Sequence, residues 1–209
     1  MSQRSRFQRL ALLAAVTTTV AGGVLVPATA FAAPAASHTV THDRSDASVT
    51  QWVETTDAPS GIKIRLPGNP ATKQLTKAKD GADVRVYMVR TDSGPLAFEV
   101  VDAPDVGRMD LDDGLHGFVD GWNEDARSAG YKLTSSDARP ATVDGRPALD
   151  AHLSTRDGDA GSIRLVKDGD HCIVILGIGH KGQEKPMDDM YQQTLTSLHM
   201  PDTGAAHAA

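Results

Sequence analysis

The sequence predicts an α+β domain, an antiparallel β-sheet with packed helices, and three observations carry that class. Asp-Gly pairs at 80–81, 144–145, 157–158 and 168–169 punctuate the chain between runs of strand character. Asp-Gly accepts the positive φ of a tight hairpin and matches the twist of the strands it joins. Two other segments replace that alternation with apolar residues three and four apart, the period of an amphipathic helix. There is one cysteine among 209 residues, so the fold stands on an apolar core without an intrachain disulfide.

Taken in order, residues 62–66, 72–78, 83–91 and 95–102 make a first meander. Its clearest members are Val84-Arg85-Val86-Tyr87-Met88-Val89 and Leu96-Ala97-Phe98-Glu99-Val100, which alternate between apolar and other side chains. A helix follows. Leu111, Leu115, Phe118, Val119, Trp122 and Ala126 fall on one face, with Asp110 as N-cap and Gly130 as the residue after the C-cap. Strands over 147–155, 160–167 and 171–178 form a second meander, and the last of them holds Cys172-Ile-Val-Ile-Leu176. In such a run Cys172 is a small buried hydrophobe. A closing helix opens near Pro186 and carries Met187, Met190, Tyr191, Thr194 and Leu198 along one stripe. The central and C-terminal strands are expected to be the best buried.

The ends read differently. Arg4, Arg6 and Arg9 precede an apolar run of about 17 residues ending at Val26. Ala28-Thr-Ala-Phe-Ala32 follows, with Ala30 and Ala32 at the −3 and −1 places of a cleavage site. Residues 1–32 are therefore expected to be a secretory signal peptide, cut between Ala32 and Ala33 or, alternatively, after Ala30. The run is too short and too diluted with Thr and Gly for a stable membrane anchor. Residues 33–48 read as a flexible spacer, 49–200 as one α+β domain and 201–209 as a disordered tail. Secretion of the product is the localisation these segments predict.

Loss of the leader takes Lys plus Arg from 21 to 18 against 27 acids, so the net charge moves from −6 to −9. That balance opposes nucleic acid, whose phosphates need basic patches. It also opposes anionic membrane surfaces.

Few residues invite chemistry. The eight histidines lack any His-x-His or His-Glu-x-x-His spacing, and His38, His42 and His207 fall in the predicted spacer and tail. Asp102, Asp105, Asp110, Asp112 and Asp113 supply carboxylates that calcium would accept, but without an EF-hand's closing Glu. Asp112 and Asp113 suit the first turn of a helix, opposite its dipole. There is no Gly-x-Ser-x-Gly elbow, and Gly177-x-Gly179-His180-x-Gly182 lacks the Lys-Ser/Thr of a phosphate loop, so a loop leaving the last strand accounts for it. No catalytic residue, cofactor or metal site is expected. Trp122 is the one candidate for a ligand groove.

Three stretches resemble a known group. Gly61-Ile-Lys-Ile-Arg-Leu-Pro-Gly-Asn-Pro70 is similar to the opening of PsbP-like domains. Val143-Asp-Gly-Arg-Pro147 resembles their turn into a long hairpin, and Tyr191 to Leu198 their closing helix. The resemblance spans about residues 50 to 200 and includes exported actinobacterial-type envelope proteins of the LpqN kind, whose lipobox cysteine this chain lacks. It implies an α/β/α sandwich that serves as a binding or accessory module, and it carries over no catalytic or ligand residue. The expected function is a secreted non-catalytic module of the cell envelope or extracellular space, binding a protein, lipid or glycan. The alternative is a small secreted hydrolase, metal-dependent in one form, that uses dispersed Asp and His residues.

Overall fold

The computed structural model describes residues 51–76, 82–126 and 131–201. The expected leader, the expected spacer and positions 202–209 of the expected tail lie outside them, as do Asp80-Gly81 and Gly130. The strands are β1 (Trp52–Thr56), β2 (Lys63–Pro67), β3 (Ala71–Thr76), β4 (Asp83–Thr91), β5 (Gly94–Asp102), β6 (Leu133–Val143), β7 (Arg146–Thr155), β8 (Ala160–Asp168) and β9 (His171–Gly179). The helices are α1 (Leu111–Asp125), preceded by a 3-10 turn at Val106–Arg108, and α2 (Glu184–Thr196).

Seven strands form one antiparallel sheet in the order β3-β4-β5-β9-β8-β7-β6, and β1 and β2 pair apart from it. The predicted α+β class with its packed helices is the observed one. Turn chemistry explains the hairpins. Asp144 and Gly145 both take positive φ, 48° and 76°, as a two-residue turn between β6 and β7 requires. Gly169 does the same between β8 and β9, at 59°. Gly94 opens β5 at φ 134°, where a Cβ would lie 2.0 Å from the Ile178 carbonyl oxygen. No other residue fits there.

β9 sits at the middle of the sheet, and Cys172 through Gly179 are buried along its whole length. Alternation sends its side chains to two cores. On one face Cys172, Val174, Leu176 and Ile178 meet α1 and the 3-10 turn, together with Leu115, Phe118 and Val119. On the other, Ile173 and Ile175 meet α2 and the β1–β2 hairpin, through Met187, Tyr191, Ile62, Ile64 and Leu66. Each large aliphatic side chain buried this way contributes roughly 1.5–3 kcal/mol.

Four expectations need correction. Residues 62–66 do not continue a meander into β3; they form β2 in a separate hairpin, whose inner side chains cover the sheet instead of extending it. β1 and β6 were not foreseen. β6 is an edge strand exposed along most of its length, and a register shift between Ser136 and Arg139 interrupts its pairing. It therefore carries no apolar period. Gly177 and Gly179 belong to β9 itself, not to a loop. A Cβ on Gly179 would lie 2.8 Å from the Glu184 Cα, so these glycines admit α2 close to the sheet. Finally, α2 begins two residues before Pro186.

Candidate functional site

The hairpin register decides which side chains face outward. Glu54 pairs with Arg65 and Thr56 with Lys63, whereas Thr55 pairs with Ile64 and Val53 with Leu66. The second set faces the sheet, with Thr55, Ile64 and Leu66 buried. The first set, with Trp52, stands on the outer face. The free edge of β2 meets the end of α2 and the segment after it through backbone hydrogen bonds. Lys63 N–H donates to the His199 carbonyl at 2.9 Å and His199 N–H to the Lys63 carbonyl at 2.8 Å. The Arg65 N–H donates to Ser197 Oγ at 2.8 Å, and that hydroxyl donates to the Thr194 carbonyl at 2.7 Å.

Between these walls lies an open groove of about 510 Å³, within the size range of ligand clefts. Trp52, Glu54, Lys63, Arg65, Gln193, Thr196, Ser197 and His199 line it. Trp52 is half-buried, and Arg65, Gln193 and His199 are exposed. Lys63 and Glu54 stand 3.7 Å apart as an exposed pair, which solvent weakens.

A buried polar chain holds the hairpin in place. Asp57, fully buried in the turn after β1, accepts from Arg85 Nε at 2.5 Å, Arg85 Nη2 at 3.0 Å, Tyr87 Oη at 2.9 Å and the Ser60 N–H at 3.1 Å. Arg85 Nη1 also donates to Asp102 Oδ2 at 2.7 Å, and His171 Nδ1 lies 2.5 Å from Asp102 Oδ1. Burial alone would raise the Asp57 pKa, but the Arg85 guanidinium and the Ser60 and Tyr87 hydroxyls outweigh it and hold the carboxyl below its usual value. Burial, then the neighbouring Asp57 carboxylate, pushes the Tyr87 phenol up to about 12. The network is saturated, and its part is to fix the groove wall.

The residues singled out from sequence fall elsewhere. Trp122 lies on α1, its ring 6.3 Å from that of Phe118 and its Nε1–H donating to the Tyr131 carbonyl at 3.0 Å. It fastens the end of α1, with Asn123, whose side chain both donates to and accepts from the Leu133 backbone. The groove is on the opposite face of the sheet from Trp122.

Asp110 caps α1 by accepting from the Asp112 N–H at 2.8 Å, and Asp112 and Asp113 lie in the first turn. Asp102 belongs to the Arg85 network. Strand pairing brings Asp102 to His171, and the β9–α2 connection brings His180 to within 3.5 Å of Asp159. Among the described residues no three His, Cys, Asp or Glu side chains converge so as to hold a metal ion. No described helix is long and apolar enough to cross a membrane. Cys172 is buried, and burial pushes its thiol up to about 12.

The sheet order, with a helix on each face and a hairpin beside α2, defines a PsbP-like fold. The chain is similar to the solution structure of cyanobacterial PsbP (CyanoP) from Synechocystis sp. PCC 6803, with a TM-score of 0.56 and 12% identity over 75% of this chain and 96% of that chain. At that identity the likeness concerns the fold alone. No family model matches the chain. No curated protein matches it in sequence.

Proposed function

We propose that the protein is an exported, non-catalytic binding module whose ligand seat is the groove between the β1–β2 hairpin and the end of α2. One observation carries the reading. The outer hairpin face sets a half-buried tryptophan beside Arg65, Gln193 and His199, whose side chains have no partner among the described residues. An indole offers a flat apolar face with a polar edge, and a guanidinium, an amide and an imidazole offer directed hydrogen bonds. A protein or glycan suits that lining better than a lipid tail. The leader-like first 32 residues support export, and the net charge of −6 speaks against nucleic acid. The PsbP-like fold agrees with an accessory role of the kind the LpqN-type resemblance implies.

Immobilised protein is incubated with culture fluid and envelope extract. Wild type and Trp122→Phe are expected to retain the same species, and a Trp52→Ala/Arg65→Ala double variant is expected to lose it. Retention of nothing, or equal retention by the double variant, removes the groove reading.

A hydrolase is the second reading, favoured by the contact of His171 with Asp102. Against it, the other oxygen of that carboxylate is engaged by Arg85. Hydrolysis of ester or glycoside substrates that disappears in His171→Ala would establish it.

A further inference from the structure

Glu99 stands on β5 with its side chain on the α1 face, is 1% exposed, and leaves both carboxyl oxygens without a hydrogen-bond partner. A buried, unpaired carboxyl at the centre of a sheet calls for a physical account. It lines a cavity of about 10 Å³, room for a single water, with Val101, Met109, Gly114, Phe118, Leu165, Cys172 and Val174.

Val86 and Val174 lie directly opposite it on β4 and β9. The titratable groups facing it are Cys172 on β9, a thiol that burial keeps neutral, and, near Cys172, Lys167 on β8, whose Nζ donates to the Met109 carbonyl at 3.1 Å. Gly114 and Phe118, which α1 contributes to the cavity wall, carry no charge, and the helix's titratable Asp112, Asp113, His116, Asp120 and Glu124 are exposed.

The roof over this carboxyl is a weak helix. Gly114, Gly117 and Gly121 all lie on its buried side, and each costs about 1 kcal/mol of helix propensity relative to alanine. A Cβ at Gly114 would come within 3.1 Å of Met109 Sδ and 3.3 Å of Leu165 Cδ2, so glycine allows the close approach that seals Glu99 from water. α1 therefore owes its order to docking, and it docks over a carboxyl that tolerates docking only when neutral.

We propose that α1 is a proton-tightened layer: it closes over the sheet while Glu99 is protonated, and opens from the sheet as Glu99 ionises. Burial raises Glu99 from 4.5 to about 8. In the opened state the carboxyl meets water and regains an ordinary value. The equilibrium constant for opening then grows about tenfold per pH unit between those two values and levels off above the upper one. Release of α1 uncovers Val84, Val86, Leu165 and Val174 on the sheet.

Hydrogen exchange of the full chain, read by mass spectrometry from pH 5.5 to 9 and corrected for intrinsic exchange, tests this. Opening of α1 amides in the wild type is expected to exceed that of α2 amides at every pH and to rise about tenfold per unit up to pH ~8, and in Glu99→Met to stay flat. Equal opening constants in α1 and α2 overturn the proposal, because opening would then be global. A flat wild type overturns it, and so does a slope that survives in Glu99→Met. Should Glu99→Met fail to fold, the wild-type α1-to-α2 ratio and a carbon-13 titration of the Glu99 carboxyl decide. An ordinary carboxyl value overturns it and a raised one upholds it.

Discussion

The two faces of the sheet bury ionisable groups in opposite ways. On the α2 face, Asp57 and Arg85 are buried together, and each lone pair and donor that matters has a partner in Tyr87, Ser60 or Asp102. On the α1 face, Glu99 is buried alone. The first arrangement locks a hairpin onto the sheet, with the Asp57 carboxyl held below its usual value. The second leaves a layer whose stability depends on a proton. Compensation, more than burial itself, decides whether a charge in the core serves as a fastener or a trigger.

The largest effect expected is from breaking the saturated side. Asp57→Ala leaves the Arg85 guanidinium buried with Asp102 as its remaining acid, and should cost roughly 3–5 kcal/mol in urea unfolding. A loss below about 1 kcal/mol would mean the hairpin is held by its apolar contacts alone.

The unsaturated side should lose less at each pH step, and only as pH rises. The folded Glu99 is raised from 4.5 to about 8, so its contribution is fully present below pH 4.5 and is lost as pH rises towards 8. Wild-type stability should fall by up to ~1.4 kcal/mol per pH unit through that window, and Glu99→Gln should flatten the curve. Parallel pH profiles for the two proteins would place the titration on another group.

Trp122→Phe keeps the ring contact with Phe118 but removes the bond to Tyr131, and about 1 kcal/mol should be lost. A change in α1 exchange without one in α2 would tie that loss to the same layer. Smallest of all, Trp52→Ala and Arg65→Ala remove outer hairpin side chains that support no core. Thermal melts should stay within the range of surface substitutions, about 0.5 kcal/mol, while binding is lost. A large drop in Tm would make Trp52 a structural residue and weaken the groove reading.

Legibility in the sequence followed periodicity. β4, β5, β7, β8 and β9 were readable because one or both faces are buried, and burial writes an apolar pattern. α1 was readable down to its cap at Asp110. β6 was not, because an exposed edge strand whose pairing slips between Ser136 and Arg139 has no face to mark. The groove was not, because its residues come from β1, β2 and the end of α2, more than 120 positions apart, and no local spacing ties Trp52 to His199. Trp122 stood out as the helix aromatic, yet an aromatic at helical spacing signals a packed face before it signals a ligand.

By itself the sequence determined the α+β class and the hairpin turns at Asp144-Gly145 and around Gly169. These depend on local dihedral preference and on side-chain period, which neighbouring residues encode. Tertiary structure alone decided that the first hairpin leaves the sheet to cover it, that Asp57 meets Arg85, and that Glu99 meets nothing. In the chain Glu99 is one polar residue in an alternating strand, with nothing to say which face it takes. Its isolation is set by what α1 brings over it, and α1 brings glycine and phenylalanine.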